Sequence, residues 1–290
     1  MTSIELTAPA KVNLFLRVTG KRKDSYHNID TIFERISLAD SIRISKAPRG
    51  ISVHSDTFIT RSPKDNIVYK AALELIRLKK LDHGVKIVIK KHVPIAAGLG
   101  GGSSDAAAVI VGMNKLFKLG INDKDLMRIG SRLGSDVPFF ILNTAFARGT
   151  RKGEKLSSIK SKARFWHLII NPGFHVATKD IYSSLDLALT RKKGGVKIHS
   201  LLKTMDFGMV EAMLHNDLED TVVSKKGIIG SIIKRLATLL GKKAIVSGSG
   251  PSVFCLYRTR KEALKARELF LKRLPLGERR GWKIFVARTW

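Results

Sequence analysis

The glycine-rich segment at residues 94–104 decides the fold, and it reads Pro94-Ile95-Ala96-Ala97-Gly98-Leu99-Gly100-Gly101-Gly102-Ser103-Ser104. Before it, residues 85–89 alternate between apolar and other side chains and are rich in β-branched residues, which predicts a strand. After it, residues 105–117 carry alanine and aliphatic side chains at helical spacing. The segment is therefore predicted to be a loop between a strand and a helix, with Ser103 or Ser104 as the helix N-cap.

A loop of this kind can bind an anion. Glycine tolerates positive φ and lets a ligand approach the backbone, and the first N–H groups of a helix attract phosphate. The segment matches neither the G-x-x-x-x-G-K-[ST] pattern nor a dinucleotide pattern with its later acidic residue. We expect a phosphate-binding loop of another type. On the segment alone, a mobile glycine turn with an ordinary serine cap stays an open alternative.

Composition indicates an ordinary globular chain. Its 290 residues suffice for one large or two modest domains, and 44% hydrophobic and 27% charged residues are typical of a soluble protein. The single cysteine, Cys255, excludes an internal disulfide framework and is expected in the core. The sequence shows neither a leader pattern nor an apolar run long enough to span a bilayer, so we expect a cytoplasmic location.

The net charge is unusual. Lysine and arginine number 53 against 24 acidic residues, which gives a formal net charge of +29. Such a charge predicts attraction to polyanions. However, the basic residues are spread along the chain, without zinc-finger spacing or an RNA-binding aromatic signature. No specific nucleic-acid partner is expected, although a basic nucleic-acid-binding module stays open as an alternative from another class.

Three segments, in this order, resemble motifs of the GHMP kinases, the family named for galactokinase, homoserine, mevalonate and phosphomevalonate kinases. The first is residues 8–14, Ala-Pro-Ala-Lys-Val-Asn-Leu, the second is the glycine-rich segment, and the third is residues 247–251, Ser-Gly-Ser-Gly-Pro. The resemblance implies an α+β, two-domain kinase, with a ribosomal-protein-S5-like domain over 1–160 and a ferredoxin-like domain over 161–290. It also implies ATP and Mg²⁺, with direct transfer of phosphate to a small molecule.

The resemblance also indicates a catalytic pair. Lys11 and Asn13 fall on one face of a predicted strand, where a lysine is ordinarily solvated. Asp136 lies in Gly-Ser-Asp-Val-Pro-Phe-Phe, which resembles the family segment that carries an acid; locally it could be a cap or turn residue before a strand. The family implies that Asp136 accepts a proton from the attacking hydroxyl, that Lys11 assists it, and that Asn13 binds substrate.

A further set of residues resembles a cytosine-binding site. Tyr26 and His27 match a tyrosine-histidine pair in which tyrosine stacks on the base and histidine hydrogen-bonds its edge, although Ser25 replaces a glycine before them. Tyr182 matches an aromatic residue on the other face of the base. From the residues alone, a loop aromatic and a surface histidine are the usual outcome for Tyr26 and His27, and a helix residue that faces the core is an equally credible interpretation of Tyr182. The resemblance implies a substrate made of a sugar alcohol linked to cytidine diphosphate; a homoserine-type or mevalonate-type kinase is the alternative.

Two residues match positions near the nucleotide base. They are Asn66, which by local sequence is the N-cap of a helix, and Lys91, which stands just before the glycine-rich segment. The segment 143–154 departs from the family's glycine-rich turn at Asn143, Thr144 and Arg151, so its path is open. The sequence allows either a monomer or a homodimer.

Periodicity predicts the remaining elements. One or two strands are predicted at 4–19, with a break at Pro9, and further strands at 29–38, 41–45, 51–54, 137–140, 166–171, 244–246, 253–257 and 282–287. Helices are predicted at 67–80, 123–132, 178–182, 198–203, 209–214, 228–240 and 261–274.

Overall fold

The computed structural model describes residues 2–186 and 206–290, so the helix predicted at 198–203 lies outside the described residues. The chain divides into two compact units. Unit 1 comprises Met1–Ala10, Ala39–Ile95 and Gly100–Thr144; unit 2 comprises Lys11–Leu38, Ala96–Leu99 and Ala145–Trp290. The domain division near residue 160 stays a prediction.

The described elements alternate between strands and helices. The strands are β1 (Ser3–Lys21), β2 (His27–Ala47), β3 (Ile51–Ser55), β4 (Gly84–Lys90), β5 (Phe146–Arg151), β6 (Lys155–Ser158), β7 (Trp166–Asn171), β8 (His215–Asn216), β9 (Ala244–Val246), β10 (Val253–Tyr257) and β11 (Lys283–Arg288). The helices are α1 (Ile67–Lys79), α2 (Gly101–Leu116), α3 (Asp123–Leu133), α4 (Val137–Ile141), α5 (Thr178–Ser183), α6 (Phe207–Met213), α7 (Glu219–Lys225), α8 (Gly227–Leu240), α9 (Arg260–Arg273) and α10 (Leu276–Arg279). A 3₁₀ turn at Pro63–Asp65 precedes α1.

In unit 1, helix α2 packs on a sheet in the order β3-β4-β2-β1. β4 pairs with β2 antiparallel and with β3 parallel, and from Val85 onward its residues are alternately buried and exposed, as a sheet with one covered face requires. Gly112 allows α2 to approach closely, because a Cβ there would lie 2.6 Å from Ile44 and 2.7 Å from Leu6. The strand and helix that flank the glycine-rich segment are thus fixed by this sheet.

In unit 2, a four-stranded antiparallel sheet has the order β11-β7-β10-β9. Helix α9 packs on β7, β10 and β11, and α8 packs on β9 and β10. Their buried side chains form one hydrophobic cluster that includes Cys255, in agreement with its predicted core position. The first part of β2 pairs with β5, and β1 pairs with β8 in parallel.

Three predicted elements were wrong. β1 runs through Pro9 without a break, since the fixed φ of proline is compatible with an extended strand. β2 continues through Asp40, where two strands were predicted, because that buried carboxylate accepts hydrogen bonds from the backbone N–H groups of His92 and Val93. The run after Asp136 is helix α4 instead of a strand, with Pro138 in its first turn, where a missing N–H breaks no helical hydrogen bond.

Candidate active site

The second half of the glycine-rich segment is helical. Helix α2 begins at Gly101, and Gly100 is its N-cap, with a φ of 69° that favours glycine. The prediction that Ser103 or Ser104 caps the helix was wrong, since both serines lie in its first turn. Because Gly100 has no side chain to cap the first turn, its N–H groups and the positive end of the helix dipole suit an anion.

The first half of the segment, Ala96–Leu99, belongs to unit 2 and contacts the Ser-Gly-Ser-Gly-Pro turn. The Ser247 hydroxyl donates to the carbonyl of Gly98 at 3.0 Å, and the N–H of Ser252 donates to the carbonyl of Ala97 at 3.2 Å. Gly98 has a φ of 74°, and a Cβ there would collide with the carbonyl oxygen of Ser247. The structure therefore brings the second and third motifs together, and the close approach at Gly98 requires glycine.

Lys11 lies in the buried middle of β1, against the expectation for an ordinary strand lysine. It is 4% exposed, and its Nζ donates to Oδ1 of Asn13 at 2.5 Å. The N–H of Lys11 donates to the carbonyl of Leu99 at 2.9 Å. A Cβ at Gly248 would lie 3.4 Å from Lys11 Nζ, so the third motif also closely approaches the ammonium group. Lys11 and Asn13 thus share one face, as the strand alternation predicts.

Asp136 stands at the N-cap position of α4 in unit 1 and is half-buried. Its carboxylate does not cap the helix, so the local interpretation as a capping residue does not hold. The preceding segment lies near the start of α2, because a Cβ at Gly134 would be 3.8 Å from Oγ of Ser103. Unit 1 therefore places the acid's segment beside the first turn of α2.

The residues that resemble a cytosine site lie together in unit 2. The His27 ring stacks on Tyr182, with centroids 5.2 Å apart and an interplanar angle of 29°. Tyr26 is 57% exposed, and Nζ of Lys152 lies 4.7 Å from its ring centroid. Burial, with a smaller contribution from the charge of Lys21, lowers the pKa of His27. The ring is therefore neutral at pH 7, and its buried Nδ1 has no hydrogen-bond partner within the described parts of the chain.

Asn66 and Lys91, predicted near the nucleotide base, both bond within unit 1. Asn66 Oδ1 accepts from the N–H of Val68 at 2.9 Å and so caps α1. Lys91 Nζ donates to Oδ2 of Asp40 at 2.5 Å and to Oδ2 of Asp105 at 2.8 Å, and its side chain is only 5% exposed. A nucleotide contact for either residue stays a prediction.

The pair of carboxylates around Lys91 was not singled out from the sequence, although Asp105 directly follows the quoted serines. Burial disfavours the Lys91 charge, but Asp105 and Asp40 outweigh it and raise the pKa of Lys91. Burial raises the pKa of Asp105 to about 7, opposed by Lys91 and reinforced by Asp40. A Cβ at Gly101 would lie 3.5 Å from Lys91 Nζ, which places this cluster directly behind the start of α2.

Comparison with known proteins agrees with the fold and the motifs. The model of the GHMP kinases N terminal domain matches residues 66–144, and that of the GHMP kinases C terminal matches residues 198–274. The chain belongs to the GHMP kinase family. The α+β, two-domain GHMP kinase fold predicted from the sequence is confirmed.

Its full-length relatives within that family include 4-diphosphocytidyl-2-C-methyl-D-erythritol kinases. The one from Syntrophus aciditrophicus is 36% identical over 287 residues, covering 99% of each chain, and the one from Pelobacter propionicus is 40% identical over 292 residues, covering 100% of each. A crystal structure of 4-(cytidine 5'-diphospho)-2C-methyl-D-erythritol kinase is 28% identical, with a TM-score of 0.78 and 98% of each chain covered. A homoserine kinase from Cytophaga hutchinsonii shares the fold at 18% identity and a TM-score of 0.75, with 100% of this chain and 95% of that one covered.

No helix within residues 2–186 and 206–290 has the length and apolar composition that a membrane crossing requires.

Proposed function

We propose that the protein is an ATP-dependent kinase that phosphorylates the 2-hydroxyl of 4-diphosphocytidyl-2-C-methyl-D-erythritol, a step in making isoprenoid precursors without mevalonate. The full-length similarity to kinases of that name supports the substrate. One structural observation carries the proposal: Tyr26, His27 and Tyr182 lie together in unit 2 with an exposed ring and a buried, neutral imidazole. A flat heterocycle with polar edges suits that set of groups.

Each of the three side chains has a role in this proposal. Tyr26 is the stacking platform, because more than half of it is exposed. His27 hydrogen-bonds the edge of the base, and its stacking on Tyr182 fixes the plane of the imidazole. Cover of the opposite face of cytosine by Tyr182 stays a prediction of the family resemblance.

The glycine-rich segment, residues 94–104, would bind the ATP phosphates. Helix α2 starts without a side-chain cap, so its N–H groups can donate to phosphate oxygens. Magnesium fits this place: Ser103 and Ser104 supply hard oxygen atoms, and Oγ of Ser104 has no hydrogen-bond partner among the described residues. Those two hydroxyls, with the nucleotide's own phosphates, would hold the ion. When bound, Mg²⁺ neutralises charge on the transferring phosphoryl group.

The chemical roles fall to Asp136 and Lys11. Asp136 accepts the proton of the attacking hydroxyl, and the Lys11 ammonium stabilises the negative charge that develops. Transfer is direct to the hydroxyl. A covalent step on Cys255 does not fit, since burial raises the pKa of that thiol to about 12 and keeps it protonated.

We further infer a cytoplasmic monomer or homodimer with no specific nucleic-acid partner. The single cysteine is a free, buried thiol, which suits a reducing compartment. The high positive charge would then act through general attraction of anionic substrates.

The function is tested by incubating the protein with ATP, Mg²⁺ and 4-diphosphocytidyl-2-C-methyl-D-erythritol and detecting product by mass spectrometry. We expect a phosphorylated product from the wild type and much less from Asp136→Asn. Cytidine nucleotides should compete with the substrate. A folded protein that binds ATP but forms no product would contradict the substrate, and homoserine and mevalonate would then be assayed.

A further inference from the structure

We infer that Thr31 is a positioning residue for phosphoryl transfer, because it fixes the side chain of Asn13 and, through it, the ammonium group of Lys11. The inference rests on the proposed function for the role of Lys11. It assigns Asn13 a place in the protein's own hydrogen-bond chain, in addition to the substrate contact predicted from the sequence.

The hydrogen bonds form one directional chain. The Thr31 hydroxyl donates to the backbone carbonyl of Phe15 at 2.6 Å. Because the hydroxyl proton is used there, Oγ1 of Thr31 is an acceptor for Nδ2 of Asn13, at 2.8 Å. The Asn13 amide is then oriented with Oδ1 toward Nζ of Lys11, at 2.5 Å. A backbone carbonyl on β1 thereby determines which end of the amide faces the lysine.

Burial makes this orientation important. Lys11, Asn13 and Thr31 are 4%, 1% and 0% exposed, so water cannot easily replace a lost partner. Without the acceptor on Thr31, nothing in this chain of bonds prevents the Asn13 amide from rotating by 180° about its last bond. Its NH₂ group would then face the ammonium donors of Lys11, and the hydrogen bond would be lost. We expect the loss of this bond to change the position of the Lys11 ammonium group.

The arrangement also shows why Thr31 is a positioning and not a catalytic residue. Its hydroxyl is fully buried and both of its hydrogen bonds go to the protein. In the chain of hydrogen bonds, the side chain of Asn13 separates Thr31 from Nζ of Lys11. A loss of Thr31 should therefore change the chemical step more than the binding of ATP.

The test compares Thr31→Val, which is nearly isosteric but lacks the hydroxyl, with Thr31→Ser, which keeps it. Thr31→Ala is a second variant without the hydroxyl, in case valine lowers the Tm. Thr221→Val in α7 is the matched control, because it removes a threonine hydroxyl from a half-buried helix position. The readouts are kcat, the KM for ATP and for the cytidine substrate, and the NMR signal of Lys11 Nζ in protein labelled with ¹⁵N-lysine and assigned with Lys11→Arg.

We expect Thr31→Val and Thr31→Ala to lower kcat roughly 10- to 100-fold, as small misplacements of catalytic groups do, with the KM for ATP little changed. The Lys11 Nζ signal should shift or broaden in both. Thr31→Ser and Thr221→Val should resemble the wild type in rate and spectrum. Unchanged kcat and an unchanged Nζ signal in Thr31→Val would overturn the inference, as would equal losses in the serine and valine variants, which indicate packing alone.

The proposed function and the role of Thr31 can each be refuted independently of the other. If the wild type transfers no phosphate to the cytidine substrate, the proposed function fails. The Nζ signal still decides whether Thr31 fixes Lys11, since that measurement needs no turnover. A signal that is the same in wild type and Thr31→Val would then overturn the inference as well.

Discussion

Two buried lysines, one in each unit, differ in the groups that accept their hydrogen bonds. In unit 2, Lys11 donates to the neutral amide of Asn13. In unit 1, Lys91 donates to the carboxylates of Asp40 and Asp105. An amide orients an ammonium group without cancelling its charge, whereas two carboxylates offset the charge where it stands. In the proposed reaction Lys11 acts on the substrate, and we expect Lys91 to hold the start of α2.

The largest effect expected from this comparison is on activity at Lys11. Lys11→Met should lower kcat by about 10²–10³-fold, the loss typical of removing one group that stabilises developing charge. The unfolding free energy of the same variant separates a lost chemical role from a lost fold. Steady-state kinetics together with thermal unfolding would show this. A variant that keeps wild-type kcat would remove Lys11 from the mechanism.

At Lys91 we expect the main effect to be on folding stability and not on activity. Lys91→Met leaves two buried carboxylates without their cation, and breaking a buried ion pair in this way costs about 3–5 kcal/mol of folding free energy. Urea unfolding of the purified variant measures that loss. Lys91→Arg keeps the charge and serves as the control. If Lys91→Met is as stable as the wild type and only the KM for ATP rises, Lys91 contacts the nucleotide, as the sequence resemblance implies.

The ionisation of Asp105 gives a pH-dependent prediction. Its pKa is about 7 in the folded protein against 3.8 for an ordinary aspartate, chiefly because of burial. The unfolded chain releases this proton first, so this residue's contribution to stability should fall as the pH rises from about 4 to about 7. Asp105→Asn has no such proton, and its Tm relative to wild type should increase over that range. A Tm difference that stays constant from pH 4 to pH 8 would contradict the shift.

Periodic elements could be predicted from the sequence to within a few residues. β4 was predicted at 85–89 and spans Gly84–Lys90, while the helix predicted at 228–240 spans Gly227–Leu240. Both have clear apolar patterns that local packing enforces. The start of α2 could not be placed, because Gly100 begins it by adopting positive φ, and a run of three glycines does not show which one does so.

Local sequence patterns could predict the site only where neighbours in sequence are neighbours in space. Strand alternation puts Lys11 beside Asn13, two residues away. Thr31, which accepts a hydrogen bond from Asn13, lies 18 residues further along the sequence on another strand. Asp40, which accepts a hydrogen bond from Lys91, is separated from it by 51 positions. No local pattern indicates such pairs, because strand pairing and loop closure bring them together. The family resemblance supplied Asp136 and the cytosine-site residues, whose roles stay predictions.

The smallest expected effect concerns Asn66, which in unit 1 has both a structural and a nucleotide-binding interpretation. Asn66→Ala removes the side-chain cap of α1 and should cost about 1 kcal/mol of folding free energy. Asn66→Ser keeps a capping oxygen and should restore most of that stability. If the cap is the residue's only role, the KM for ATP is unchanged in both variants. If the amide also contacts adenine, the KM for ATP rises in both while only Asn66→Ala is less stable, and unit 1 then binds the base with a residue that also starts a helix.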